Sequence, residues 1–430
     1  MKVGIVRRQV PVPFGTAMAG YAAREGSSTG VHDPLTVRAL VLDDVALVSA
    51  DVCAIHERTA AQIRSLTADL VQDVVVMATH THSGPCMAFG RLGPHSAFVH
   101  DELVRAAVSA VQEACRSTVE CSLAYGRAPG SGVAKNRRHP DRIIDPPIEA
   151  FRFRTEGEPV ATLITYPCHP VVLDGANRQI SSDFPSYLRN AVETDGGLSL
   201  WATGCAGDVN TGHSAEASFR DDQSGRRTFA EAERIGNLLA QTLRHGDFRT
   251  INTQHVIFKR MAVVLPLSPF DAEQTTRDRQ MWTESASSSP PPLAALYRAW
   301  VTWADRILAL DRQEQTPDGL PPADPEGDTC ADGWHGFVCL LDLGGVAIIT
   351  LPGEPFLAVA EAVKAATDKP VLVLGYADGV PGYLPTADEY RHGGYEVVDA
   401  HRYYGMRAAF APGGAERLIA AAVKLISGNG

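Results

Sequence analysis

The chain has 430 residues and an ordinary globular composition, with 45% apolar and 21% charged residues. These values exclude a disordered chain, a collagen and a coiled coil. Its 39 basic and 50 acidic residues give a net charge of −11, which argues against nucleic-acid binding. No apolar run reaches the roughly 18 residues of a membrane span, and the first 15 residues lack the apolar region of a secretory signal. We therefore expect a cytoplasmic protein without a membrane span.

Short β-branched runs alternate with helical patterns along most of the chain. Strands are predicted over residues 39–49, 73–78, 159–166, 344–351 and 371–374. Helices are predicted over residues 54–66, 101–115, 228–243, 355–367 and 415–426. This alternation is typical of an α/β protein. We predict a mixed sheet flanked by helices, in a single domain over residues 1–430.

Residues 268–328 interrupt the alternation of strands and helices. They contain the run SASSSPPP, an amphipathic helical pattern over residues 293–315, and the run PDGLPPADPEGD. Proline-rich runs of this kind are typical of connectors. We interpret the segment as a helical, Pro-rich insertion or lid within the domain, and as the source of substrate choice because loops on a fixed scaffold usually have that role.

The sequence Ala78-Thr79-His80-Thr81-His82 directly follows a predicted strand. Residues two apart in an extended segment face the same side, so His80 and His82 are expected to project together. In open α/β sheets, ligands collect at the carboxyl ends of strands. Two imidazoles there indicate a metal site, or one metal ligand and one general base.

Two further candidate ligands follow strands in the same way. His169 lies between Pro167 and Pro170 after the strand over residues 159–166, and Glu354 follows the strand over residues 344–351. A histidine in a rigid turn and a carboxylate at a helix start are both common without any ligand. Together with His80, however, they make the His₂Glu set that catalytic zinc uses. We therefore predict a metal site at the carboxyl ends of the strands.

Two polar segments complete the candidate site. Residues 204–213 contain Asp208 and Asn210 among glycines, which permit close backbone approach to a ligand. Residues 375–395 contain four tyrosines, Tyr376, Tyr383, Tyr390 and Tyr395. Their side-chain chemistry alone does not indicate which of them is a metal ligand.

These motifs in this order resemble the neutral (non-lysosomal) ceramidases. The resemblance is carried by ATHTHSGP at 78–85, the His169-Pro170 turn, GDV at 207–209, LPGE at 351–354 and the tyrosine-rich segment. AGY at 19–21 and VSADV at 48–52 belong to the same pattern. The similarity covers nearly the whole chain except residues 268–328. The length corresponds to a short form that lacks the C-terminal β-sandwich domain of the full-length ceramidases.

The resemblance implies a zinc site and assigns its ligands. In that family two histidines, one glutamate and one tyrosine hold Zn²⁺. The matching residues here are His80, His169, Glu354 and Tyr383. His82 would be the acid–base histidine beside the metal.

The resemblance also implies residues that act on the substrate. Tyr395 matches the tyrosine that hydrogen-bonds the developing oxyanion, and Arg137 matches an arginine that contacts the substrate near the metal. Asn136 precedes that arginine and is expected to bind substrate with it. Gly207 is expected at the substrate, and Asp208 is expected among the catalytic residues.

One departure from the family affects the expected reaction. The ceramidases carry Gly-Asp-Val-Ser-Pro-Asn, whose serine is proposed to take part in catalysis, and Asn210 replaces that serine here. We therefore expect direct attack by zinc-activated water with His82 as base, and Asn210 as a hydrogen-bond donor to the substrate. Zinc lowers the pKa of bound water toward about 7.

The expected function is that of a zinc-dependent hydrolase cleaving the C–N bond of an N-acyl amide, ceramide-like or smaller. The alternatives are a zinc-dependent esterase, a lactonase, an amide-forming cyclase, or a non-catalytic member of the family. The expected partner is a small-molecule or acyl-amide substrate. Sequence does not predict the oligomeric state.

Overall fold

The computed structural model describes residues 1–22, 24–87, 89, 93–213, 226–312 and 333–428. The strands are β1 (Lys2–Gln9), β2 (Gly30–Val31), β3 (Thr36–Leu42), β4 (Val45–Ala50), β5 (Asp73–Ala78), β6 (Val119–Glu120), β7 (Ser122–Ala128), β8 (Lys135–Asn136), β9 (Ile148–Arg154), β10 (Pro159–Tyr166), β11 (Gln179–Ile180), β12 (Leu198–Thr203), β13 (Val209–Asn210), β14 (Asp247–Ile251), β15 (Thr253–Leu265), β16 (Trp334–Gly344), β17 (Ala347–Thr350), β18 (Glu354–Pro355), β19 (Val371–Leu374) and β20 (Tyr383–Leu384). The helices are α1 (Glu57–Leu66), α2 (Ala97–Arg116), α3 (Phe184–Glu193), α4 (Phe229–Arg244), α5 (Ala272–Ser288), α6 (Pro291–Asp311), α7 (Leu357–Ala365), α8 (Tyr395–Val398) and α9 (Gly414–Ile426).

In the described part of the chain, three larger sheets carry the architecture. Their strand orders are β5-β4-β3-β1-β6, β12-β10-β9-β7-β14 and β15-β16-β17-β19. Each sheet mixes antiparallel pairs with one parallel pair, namely β4/β5, β10/β12 and β17/β19. The predicted mixed α/β class is confirmed, but its strands are divided among several sheets rather than one.

The three parallel pairs position the candidate site. A helix joins the two strands of each pair, α1 between β4 and β5, α3 between β10 and β12, and α7 between β17 and β19. His80 follows β5, His169 follows β10 and Glu354 follows β17. Each candidate ligand therefore lies just beyond the carboxyl end of a strand from a different sheet, where ligands of α/β proteins commonly bind.

Two sequence predictions differ from the structure near these strands. Residues 39–49, predicted as one strand, form an antiparallel pair in which Leu42 lies opposite Val45. Asp43 makes the turn at φ 53°, a left-handed conformation that aspartate tolerates better than most residues. The helix predicted to begin at Pro355 begins at Leu357, because Pro355 belongs to β18 and lies opposite Leu384 of β20.

The predicted insertion contains more helix than expected. The run SASSSPPP was interpreted as a flexible connector, but α5 continues to Ser288 and α6 begins at Pro291. The two helices share an apolar cluster that includes Trp282 and Trp303. The Trp303 indole nitrogen donates to the carbonyl of Met406 at 2.8 Å, so α6 is joined to the chain that follows α8. The predicted connector at 317–328 lies outside the described residues.

A buried ion pair joins the first sheet to the helix of the second. Asp51 follows β4 and accepts from Arg189 of α3 at 2.8 and 2.9 Å. Thr36 and Ser182 donate to the same carboxylate. Asp51 and Arg189 are each almost fully buried. No helix in the described ranges combines the length and apolarity needed to cross a bilayer.

Candidate metal site and its adjoining cavity

His80, His169 and Glu354 converge on one point. Glu354 Oε2 lies 3.2 Å from His80 Nε2 and 2.9 Å from His169 Nε2. All three residues are fully buried. Their ligand atoms lie within 4.8 Å of one another, which suits a single metal ion. Two imidazoles and one carboxylate form a donor set that catalytic zinc commonly uses.

The backbone orients both imidazoles toward that point. His80 Nδ1 lies 2.6 Å from the carbonyl of Cys53, and His169 Nδ1 lies 2.6 Å from the carbonyl of Ala206. Because Nδ1–H donates to these oxygens, Nε2 of each ring faces Glu354 and would be the ligand atom for a metal ion. Such hydrogen bonds select the tautomer of metal-binding histidines. His80 also has φ 66°, a conformation rare for residues other than glycine.

The charges of the cluster suit a cation as well. Burial lowers the pKa of His80, but the Glu354 carboxylate outweighs it and raises that pKa to about 10. Burial and the positive Arg137 lower the pKa of His169 to about 4. Burial raises the pKa of Glu354, but His80 and His169 outweigh it and hold that pKa below its usual value. The Glu354 carboxylate therefore favours a positive charge beside it. Without metal this charge is the proton on His80, and a metal ion would replace that proton.

A second group of potential ligands shares His80. Cys53, His80 and His82 also bring their ligand atoms within 4.8 Å of one another. The Cys53 Sγ, however, approaches His80 at Nδ1, at 3.8 Å, and Nδ1 already faces the Cys53 carbonyl. The set with His169 and Glu354 uses the free Nε2 atoms and is the better candidate.

Three tyrosines surround the Glu354 carboxylate. Tyr383 lies directly opposite Glu354 in the parallel pair β18/β20, and its ring stacks on His169 with centroids 6.3 Å apart. The Tyr376 hydroxyl donates to Glu354 Oε2 at 3.4 Å, and the Tyr404 hydroxyl contacts Oε1. The register thus brings the predicted ligand Tyr383 to the cluster. Sequence reasoning did not single out Tyr376, and it missed Tyr404.

His82 lies between the cluster and a cavity. Its Nε2 is 3.2 Å from His80 Nε2, and its buried Nδ1 has no hydrogen-bond partner in the described structure. Burial and the neighbouring His80 hold the pKa of His82 well below its usual value. The ring also meets Tyr21 edge-on at 5.1 Å.

The cavity has a volume of about 560 Å³, within the usual range for small-molecule sites. His82, Arg137, Tyr383, Tyr395 and Tyr404 all line it. Arg137 donates through Nε to Glu396 at 2.8 Å, while its buried Nη2 makes no hydrogen bond within the described ranges. The Arg137 guanidinium lies 5.2 Å from the centroid of the Tyr383 ring, and the Tyr395 ring lies 5.7 Å from that of Tyr383. The predicted substrate arginine and oxyanion tyrosine are therefore brought together with the cluster.

Other predicted residues shape the site without lining the cavity. Asp208 accepts from the backbone of Leu357 at 2.8 Å and from Asn136 at 3.1 Å. The Asn136 amide oxygen accepts from the backbone of Arg138 at 3.0 Å, so both residues hold the segment that carries Arg137. Gly207 packs so closely that a Cβ atom there would lie 2.4 Å from the carbonyl of Glu354.

Asn210 lines the cavity, but its side-chain amide forms hydrogen bonds with the backbone of its own loop. The amide oxygen accepts from the backbone of Gly212 at 2.8 Å and of His213 at 3.0 Å. The amide nitrogen donates to the carbonyl of His213 at 2.6 Å. Its second N–H has no partner among the described residues, so the predicted hydrogen bond to substrate stays a prediction.

The chain is similar in sequence to known proteins. Residues 3–199 match the family described as neutral/alkaline non-lysosomal ceramidase, N-terminal. The chain is also similar to the neutral ceramidase of Pseudomonas aeruginosa, with 24% identity over 88% of this chain. Residues 3–199 therefore match the family that the motifs of the chain predicted. It spans 66% of the length of that relative, slightly less than two thirds.

The fold is similar to those of solved ceramidases. The crystal structure of the P. aeruginosa neutral ceramidase matches 99% of this chain with a TM-score of 0.71 and 17% identity, and 74% of that chain is covered. A structure described as ceramidase complexed with C2 matches 99% of this chain with a TM-score of 0.69 and 18% identity, and 75% of it is covered. The similarity in fold extends well beyond the 197 or so residues of the family match, to the strands that carry Glu354 and Tyr383.

Proposed function

We propose that the protein is a zinc-dependent amidohydrolase that cleaves the C–N bond of linear N-acyl amides. The observation that carries the proposal is the convergence of His80 Nε2, His169 Nε2 and the Glu354 carboxylate beside the cavity. Similarity to proteins named ceramidases supports the amide, because ceramide is an N-acyl amide.

His80, His169 and Glu354 would hold the zinc ion, with Tyr383 as the fourth ligand. When bound, zinc supplies a Lewis acid that polarises an acyl carbonyl and activates water. Burial raises the pKa of Tyr383 well above its usual value in the absence of metal, so coordination requires the ion to favour the phenolate.

Residues that line the cavity would act on the substrate. His82 is the proposed base, since its ring lies beside the cluster and its Nδ1 has no hydrogen-bond partner in the described structure. Arg137 and Tyr395 would donate to the acyl oxygen as negative charge develops on it, since both line the cavity next to Tyr383. Helix α6 contributes Ala299, Thr302 and Trp303 to the cavity wall, which supports a role of the proposed insertion in substrate choice.

The proposed reaction is tested with matched amide and ester substrates. We expect the zinc-loaded full chain to release fatty acid from N-lauroylethanolamine, to lose this activity on chelation and to regain it with added zinc. Release that chelation leaves unchanged would contradict the metal assignment. Turnover of the lauroyl monoester of ethylene glycol, in which oxygen replaces the amide N–H, without turnover of the amide would instead favour an esterase.

Gly20 gives a specific test of His82. It has φ 96°, and a Cβ atom at this position would lie 2.6 Å from His82 Cγ. We expect Gly20→Ala to displace His82 and to lower kcat by about 10²-fold, because small displacements of reacting groups have effects of that size. Zinc content should be unchanged.

Gly15→Ala is the matched control for backbone strain. Gly15 also has a left-handed φ, 80°, but a Cβ atom there would meet nothing within 4 Å. Both variants should lose stability through backbone strain, Gly20→Ala more because of the added contact with His82, and only Gly20→Ala should lose kcat. Equal kcat values for the two variants would exclude His82 from the reaction.

A further inference from the structure

The cavity beside the candidate metal site is lined by positive side chains. Its arginines are Arg24, Arg137, Arg227, Arg306 and Arg402, and its described lining includes no aspartate or glutamate. Arg137 bonds to Glu396 and Arg402 contacts Asp399. Arg24 and Arg227 differ, because neither forms an ion pair within 4 Å of a described carboxylate, and Asp174 and Asp183 act on them only at longer range.

Arg227 is held by neutral oxygens and has one end available. Its Nε donates to the carbonyl of Val172 at 3.3 Å, and its Nη2 donates to the carbonyl of Val171 and the hydroxyl of Tyr21, both at 2.9 Å. Nη1 makes no hydrogen bond with the described residues. Backbone contacts thus fix the guanidinium while leaving the Nη1 hydrogens for a ligand, although the residue is only 9% exposed.

Arg24 is held in the same manner. It donates to the carbonyls of Ala19 at 2.6 Å, His82 at 2.8 Å and Asn177 at 3.0 Å. Burial lowers the pKa of Arg24 to about 10, as expected for a cation that carbonyl oxygens stabilise only in part. A second desolvated positive charge therefore lies at the same cavity wall.

Tyr21 places both arginines close to the reacting groups. The guanidinium carbons of Arg24 and Arg227 lie 5.0 and 5.7 Å from the centroid of its ring. The same ring contacts His82 edge-on, and Arg24 bonds to the His82 carbonyl. Burying cations without carboxylate partners is unfavourable unless a ligand supplies the negative charge.

We propose that the amide substrate carries an oxyanion, a carboxylate or a phosphate, close to the scissile bond, and that Arg227 binds this group with Arg24 adding positive charge. The inference rests on the proposed amidase function and names the substrate class. N-acyl amino acids and N-acyl phosphoethanolamine have this chemistry, whereas an uncharged amide leaves both arginines without a directly bonded anion.

The first test compares substrates that differ only in charge. For the zinc-loaded full chain, kcat/KM should be on the order of tenfold or more higher for N-lauroylglycine than for N-lauroylglycinamide, because hydrogen bonds to charged groups are the stronger ones. Arg227→Gln should remove most of this preference, whereas Arg226→Gln changes an adjacent exposed arginine and should preserve it. A second pair of substrates tests a phosphate in the same way, by comparing kcat/KM for N-lauroylphosphoethanolamine and N-lauroylethanolamine. A preference for the charged substrate of either pair that Arg227→Gln abolishes supports the proposal. The pair that shows it identifies the anion.

A binding measurement separates this inference from the amidase proposal. Ketone isosteres, in which CH₂ replaces the amide N–H, cannot be hydrolysed as amides. Isothermal titration calorimetry with the wild-type chain should show tighter binding of the carboxylate isostere than of its carboxamide, also on the order of tenfold. This comparison stands if Arg227→Gln does not fold. Equal affinities, or tighter binding of the carboxamide, would overturn the anion site, whereas preferential binding without amide hydrolysis would overturn only the amidase proposal.

Discussion

Replacing Glu354 by glutamine is expected to remove the bound metal and to lower amide hydrolysis by at least about 10³-fold. Glutamine has nearly the shape of glutamate but lacks the charge that both imidazoles face at 2.9–3.2 Å. A metal ion supplies several kcal/mol of transition-state stabilisation, and each 1.36 kcal/mol is about tenfold in rate. Metal content by mass spectrometry and fatty-acid release are measured on the same preparation.

The control is a glutamate on the helix that follows. Glu361 lies in α7 and is exposed, so Glu361→Gln makes the same chemical change away from the cluster. It should keep full metal content and activity. If Glu354→Gln kept both as well, the carboxylate would not be a ligand and the proposed site would be wrong.

The largest expected effect on stability is at Asp51. Asp51→Asn should lower the free energy of unfolding by about 3–5 kcal/mol, because removing one partner of a buried ion pair leaves the other charge uncompensated. Arg189 would lose its counterion and one of its two acceptors, in a setting where its side chain is 2% exposed. Urea unfolding at pH 7, followed by circular dichroism, gives the difference directly.

The stabilising effect of Asp51 has a defined pH dependence. Burial raises its pKa, but Arg189 and the hydroxyl donors outweigh burial, so the folded pKa lies below the usual value. The stabilisation is therefore complete above the unfolded pKa near 4 and is lost as pH falls through the lower folded pKa. The difference between wild type and Asp51→Asn should narrow over that acidic range.

An exposed pair of the same types is the control. Asp195 bonds to Arg244 with side chains that are 49% and 38% exposed. Asp195→Asn should change the free energy of unfolding by less than about 1 kcal/mol, since exposed ion pairs contribute little. Similar losses at positions 51 and 195 would mean that burial of the Asp51–Arg189 pair does not determine its contribution.

The ligand candidates could be predicted because each follows a strand with a clear sequence pattern. β10 and β19 were predicted with their observed bounds, and the residues after β5, β10 and β17 include His80, His169 and Glu354. What the sequence did not predict is that these strands belong to three different sheets. Hydrophobic patterns locate strands along the chain, but pairing between distant strands leaves no local pattern.

The arginines at the cavity wall illustrate what sequence reasoning missed. Arg24 and Arg227 meet around Tyr21 although about 200 residues separate them in the sequence. Neither arginine was singled out from the sequence, because arginines are usually exposed. Tyr404 was the easier case, since the tyrosine-rich run continues through it to a contact with Glu354.

Residues that position others were difficult to separate from residues that act on substrate. Asp208 and Asn136 were predicted to act at the site from their motifs, yet their hydrogen bonds hold the backbone around Arg137. A polar residue next to glycine gives the same sequence pattern whether it holds the backbone or contacts the substrate. Only the three-dimensional partners distinguish a structural hydrogen bond from a contact with substrate.

Anomalous diffraction at the zinc edge, from crystals grown with zinc, tests the central claim most directly. We predict a peak within about 2.0–2.2 Å of His80 Nε2, His169 Nε2 and a Glu354 carboxylate oxygen. A peak coordinated instead by Cys53, His80 and His82, or no peak near Glu354, would contradict it.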